Sequence, residues 1–237
     1  GSEDRTAFFR TVDQGLTQTL FLTVPTCIGY LLFGFLIVGL VFRRGRFDVE
    51  DQWLVYFVLA GYSIGMLATS ASRVFNNMFF AVGETRTPAR IAVERVLLSG
   101  ALGAALMLQL DKVPVGDLVT IPQGDVSDTA LRLGAVGLSV AAGFAAWYEW
   151  FRLVGKARKA FPGYSPPSGY VVRIAAVALL ASIPAAGVWF AMREWRLLWG
   201  APLVIAVYAA GYLVATGLFG LSRLDAWLGR SRKSKRA

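Results

Sequence analysis

Residues Trp53 to Phe80 read WLVYFVLAGYSIGMLATSASRVFNNMFF, a run in which Arg73 is the only charge. About 20 apolar residues suffice to cross the roughly 30 Å of hydrocarbon in a bilayer as a helix, so the stretch reads as a membrane span. Five more runs of similar character flank it: Gly15 to Phe42, Ile91 to Leu110, Ala130 to Val154, Tyr170 to Met192 and Leu198 to Leu221. The fold class expected is therefore all-α, a polytopic membrane bundle of six transmembrane helices.

Composition agrees. Of 237 residues, 56% are hydrophobic and 16% charged, whereas a soluble domain runs at about 45–50% apolar and about 25% charged. Histidine is absent and Cys27 is the single cysteine, which excludes an internal disulfide, His/Cys metal clusters and Ser-His or Cys-His catalytic pairs. No catalytic residue, metal or cofactor is expected. The net charge is +9, but the cations sit between and beyond the apolar blocks, so anionic membrane lipids rather than nucleic acid are the expected partners.

Cation counting orients the spans, because cytoplasmic loops are enriched in Lys and Arg. Sixteen cations fall on the side of the termini and seven opposite, with Arg73 inside a span. Both termini are therefore expected in the cytoplasm. Aromatic belts support the boundaries: Trp53 and Tyr56 open one span, Trp147, Tyr148 and Trp150 close another, and Trp189, Trp195 and Trp199 bracket the last turn.

The opening GSEDRTAFFR lacks the form of a signal peptide and begins with Gly1, which points to a fragment or a tag scar. The expected organisation is a cytoplasmic lead-in over 1–14, a four-helix body over 15–154, a basic, Pro-rich linker over 155–169, a two-helix tail over 170–221 and a basic amphipathic cytoplasmic tail over 222–237. Pro162, Pro166 and Pro167 mark the linker. Pro25 lies inside the first span and implies a kink there.

Gly61-Tyr62-Ser63-Ile64-Gly65 spells the G-x-S-x-G of a nucleophile elbow. With no histidine and every lysine in a loop or the tail, Ser63 has no base. Gly61 and Gly65, four apart on one helical face, read instead as a small surface that lets another backbone approach closely.

Thr69, Arg73, Asn76 and Asn77 recur at helical spacing and form a polar stripe on the second span. Arg73 carries the cost of an intramembrane charge, about 3 kcal/mol on insertion scales. Either it snorkels to the cytoplasmic interface or pairs with a helix, or it contacts an anionic substrate. Glu94 lies four residues from Arg90, which suggests a local ion pair; a proton- or cation-coupling role is the alternative. Glu149, with Arg152 three residues on, reads as a second local pair.

Several motifs together resemble the MurJ (MviN) family of lipid II flippases. Phe42, Gly45 and Phe47 followed by Asp51 resemble that family's L-F-x-x-G-x-F...D turn, and Gly61 to Gly65 follow. Phe79 to Pro88, with Glu84, Thr87 and Pro88, resembles its F-Y-A...D-T-K-T-P loop. Val136 to Ala141, with Gly137, resembles a G-L-A-x-A stretch, with Trp147-Tyr148-Glu149 where the family commonly has Trp-x-Asn. Where the third span of that family often carries a polar residue, this chain has Ser99 and Gly103.

The resemblance, which is to the wider multidrug, oligosaccharidyl-lipid and polysaccharide exporter superfamily as well, implies two helical lobes around a cavity, followed by two helices with a lipid-tail groove. This chain would then be the four-helix part of the C-terminal lobe plus the tail pair, in the bacterial inner membrane. The missing N-terminal lobe would come from the same full-length chain or a separate subunit. The implied activity is alternating-access flipping of a lipid-linked diphosphate peptidoglycan precursor. The alternatives are a polysaccharide-lipid or drug exporter of the same superfamily, or a non-transport membrane scaffold with a basic tail.

Overall fold

A computed structural model describes residues 2–43, 45, 47–119, 131–162, 164, 166–192 and 197–221. Six long helices account for most of them: α1 (Ser2–Phe42), α2 (Val49–Ala81), α3 (Arg86–Leu110), α4 (Gly134–Ala160), α5 (Ser168–Ala191) and α6 (Leu197–Leu218). The amphipathic tail, Trp195 and residues 120–130 lie outside the described residues.

α1 starts well before the apolar run at Gly15. The polar opening continues the helix because Phe8 and Phe9 have an apolar partner surface, their rings lying 6.0 Å and 6.2 Å from Phe161 beyond α4. The turn into α2 needs a left-handed residue, supplied by Gly45 at φ 66°. Phe42 and Phe47 stack across that turn at 5.9 Å. Asp48 and Asp51 then form a reciprocal capping box, each side chain accepting from the other's backbone N–H.

Gly83, at φ 76°, makes the corresponding turn from α2 to α3. The Glu84 carboxylate accepts from the Thr87 N–H at 2.9 Å, and buried Pro88 follows in the first turn, where its missing N–H costs little.

α4 lies between α2 and α3, α2 packs on its other side against α1, and α5 and α6 pair with each other and against α1. Small residues make the α4 crossings close. A Cβ on Gly65 would lie 2.6 Å from the Gly143 Cα, and one on Gly137 would lie 2.7 Å from the backbone of Leu106 and Met107 on α3. Trp147 locks the first crossing by donating from Nε1 to the Ile64 carbonyl at 2.9 Å.

Among the described residues, five helices are long and apolar enough to cross a membrane: α1, α2, α3, α5 and α6. α4 falls short because its inner faces are Gly, Ala and Ser and because Glu149 and Arg152 lie within it. α2 and α3 pack on either side of it, and α3 supplies the partners for those charges, Arg95 for Glu149 and Glu94 for Arg152. The outer faces are apolar, with Val96 and Leu97 on α3 and Ile183 on α5 exposed, as a lipid-facing surface requires.

No helix bridges α4 and α5, which stop at Ala160 and resume at Ser168. In the connection, the Tyr164 hydroxyl donates to Asp13 on α1 at 2.9 Å. Burial, and then the Asp13 carboxylate, push the Tyr164 phenol well above its usual range.

Candidate functional site

Two polar features lie within the helical bundle. The first is the face of α2 that carries Thr69, Arg73 and Asn77, spaced four apart and therefore aligned. α3 meets α2 only slightly, because α4 intervenes, so this face stays open. Arg73 and Asn77 are exposed, and Asn76 is half-buried with an Oδ1 that has no hydrogen-bond partner among the described residues. Arg73 makes no ion pair among the described residues.

Asn77 also lines a cavity of about 640 Å³ between α1 and α2, together with Thr11, Gln18, Thr19 and Thr23. The sequence reading did not single out these α1 residues. The separations of seven between Thr11 and Gln18 and of four between Thr19 and Thr23 are the available signal, hidden because threonines are common in membrane helices, where they bond to their own backbone. Thr23 does so, donating to the Thr19 carbonyl at 2.8 Å.

The second feature joins α3 to α4. Arg95 donates from Nη1 to Glu149 at 2.5 Å and from Nη2 to Thr69 on α2 at 3.4 Å. Glu149 is 5% exposed and Arg95 31%. One helical position away, Arg152 lies 3.1 Å from Glu94, while Tyr148 donates to Glu94 at 3.0 Å and accepts from Arg152 at 2.9 Å. Arg90 reaches the same carboxylate at 3.5 Å.

Glu94 thus has its local Arg90 partner plus two groups from α4. The local Glu149–Arg152 pair does not form: two cross-helix bridges replace it, since neighbouring α3 positions face different α4 residues. Of the residues marked in the sequence, the structure brings Thr69 to this cluster and leaves Arg73, Asn76 and Asn77 along the α2 face.

Ser63 is buried and donates from Oγ to the Leu59 carbonyl at 2.7 Å. A hydroxyl used inside its own helix turn, with no base beside it, supplies no nucleophile. Among the described residues no group of His, Cys, Asp or Glu could hold a metal.

The family described as "Lipid II flippase MurJ" matches residues 1–116. The chain is 28% identical over 102 residues to a probable lipid II flippase MurJ of Bdellovibrio bacteriovorus, covering 43% of this chain and 20% of that protein. It is 37% identical over 92 residues to the Rhizobium meliloti protein of the same description, covering 39% and 17%. With the Haemophilus influenzae protein, also so described, identity is 24% over 215 residues, 86% of this chain and 38% of that one. This chain therefore spans well under half the length of the relatives it matches. A solved structure, "Lipid II flippase MurJ, inward closed conformation", superposes with a TM-score of 0.60 at 17% identity, over 92% of this chain and 40% of that one. That likeness concerns the fold.

Proposed function

We propose that this chain, a homologue of the MurJ lipid II flippases, is the C-terminal part of a flippase that carries a lipid-linked diphosphate across the bacterial inner membrane. Its termini lie in the cytoplasm. The activity involves no covalent chemistry: two helical bodies rock about a central path, which opens to each side in turn.

One observation carries the reading. A mainly apolar cleft between two membrane-spanning helices has polar groups set into its wall, Asn77 from α2 and Thr11, Gln18 and Thr19 from α1, and Arg73 lies one turn from Asn77. Polar groups in hydrocarbon are expensive unless they face water, a partner or a substrate. The open face of α2 would then border the path shared with the N-terminal lobe, and Arg73 would attract the diphosphate.

The test is complementation in the full-length protein at matched membrane abundance. Arg73→Ala should abolish or strongly reduce flipping, and Arg73→Lys should retain part of it, because long-range attraction needs a charge and not a guanidinium fork. Normal flipping by the Ala variant would remove the substrate role. Arg73 is eight residues from the end of α2, about 12 Å at 1.5 Å per residue, and would then simply reach the interface.

A further inference from the structure

The end of the bundle that holds the start of α3 and the end of α4 contains a second cavity, about 270 Å³, lined by Arg86, Thr87, Arg90, Ile91, Arg152 and Lys156. Arg86 and Arg90 are one turn apart on α3, and Arg152 and Lys156 one turn apart on α4. Like charges at this spacing repel each other within a helix, and here two such pairs also face one another. Glu94, bridging Arg90 and Arg152, is the carboxylate that offsets them. Glu84 is occupied at the Thr87 N–H. Arg86 and Lys156 make no ion pair among the described residues.

The floor of the cavity is Ile91, 2% exposed. Ile91 closes the hollow beneath the cations, whose ends reach water, Arg90 being 83% exposed and Arg152 41%. Four cations around one partly apolar hollow, with a single carboxylate between them, leave a net positive site with ample room for a phosphoryl group. Arginine forks suit phosphate oxygens in paired hydrogen bonds, and lysine adds a mobile point charge.

We infer that this cavity, at the start of α3 and towards the end of α4, binds a phosphate-bearing anion. The anion is either the headgroup of an anionic phospholipid or a soluble phosphate. The site is separate from the α2 face and does not rest on the transport reading.

The test uses the purified full-length protein. In detergent, inorganic phosphate is titrated while thermal unfolding is followed. In a parallel arm, the protein is reconstituted in phosphatidylcholine discs with rising phosphatidylglycerol. At least one series should give saturable stabilisation. The Arg86→Gln/Lys156→Gln variant should raise the half-saturating concentration about tenfold or more, as expected for lost charge-assisted hydrogen bonds. The control Arg10→Gln/Arg173→Gln removes two exposed cations from outside the cavity and should leave it unchanged.

A response to phosphate identifies a soluble ligand, and a response to phosphatidylglycerol alone identifies a lipid headgroup. No saturable response in either arm overturns the inference, as does an equal loss in both double variants. Should the Arg86→Gln/Lys156→Gln protein fail to fold, the single exposed change Lys156→Gln decides: an unaltered half-saturation overturns the site.

Discussion

The Tyr212 hydroxyl donates to the Phe21 carbonyl at 2.7 Å, and that carbonyl is the one Pro25 leaves without its helical donor. Proline has no N–H, so the oxygen four residues before it loses its i+4 partner. α6 supplies the replacement from a buried side chain. One turn on, Tyr208 donates to the Pro25 carbonyl at 2.8 Å. The proline in α1 and the two tyrosines of α6 are thus one docking feature, which ties the α5–α6 pair to α1.

The two tyrosines should differ in importance. Tyr212→Phe leaves a buried carbonyl unsatisfied and should cost about 1–3 kcal/mol. Tyr208→Phe should cost less, because the Pro25 carbonyl still has the Gly29 N–H in helical register. Thermal unfolding of each variant in detergent checks the order; equal effects would refute the orphaned-carbonyl account.

Glycines on the inner and outer faces should respond oppositely to alanine. At Gly137 a new Cβ meets the α3 backbone, which cannot move aside as a flexible side chain can, so Gly137→Ala should destabilise by about 1–3 kcal/mol. Gly100 has open space around it, and Gly100→Ala should be neutral or stabilise by up to about 1 kcal/mol through helix propensity. The same unfolding assay separates them.

Features set by local rules were legible in the sequence. Gly61 and Gly65 marked a close helix approach because their four-residue spacing fixes a common face, and α4 fills that face. The six apolar runs located the helices because burial in lipid demands length and apolarity. Partner choice was not legible. Arg152 stands three residues from Glu149 in the chain, yet Glu149 bonds Arg95 and Arg152 bonds Glu94, because the α3–α4 crossing sets which side chains meet. The α1 wall of the cleft stayed hidden for a related reason: Gln18 and Thr19 become a lining only once α2 lies opposite.

Tyr164 gives a prediction about pH. Its phenol is held above the ordinary value of the unfolded chain, so the neutral form is favoured by folding. The stabilisation it provides is complete below the unfolded value near 10 and is lost as pH rises through the folded value. Wild type should therefore exceed Tyr164→Phe in melting temperature at pH 8, and the gap should narrow above pH 10. A gap that widens with pH would show that the Asp13 bond has the opposite linkage.

The Arg95–Glu149 bridge should be asymmetric. Breaking a buried pair by removing one partner costs about 3–5 kcal/mol, mainly because the other charge is left without compensation. The residual charge is not equally stranded in the two cases. Glu149 is 5% exposed and has no other bond on its carboxylate among the described residues, whereas Arg95 is 31% exposed and keeps Thr69. Arg95→Gln should therefore destabilise the bundle more than Glu149→Gln. The double variant should be milder than the sum of the two, since no charge remains unpaired. A double-mutant cycle on thermal stability measures all three quantities. Additive effects would mean that the two side chains do not interact in the folded protein, and a larger loss for Glu149→Gln would place the buried burden on the arginine instead.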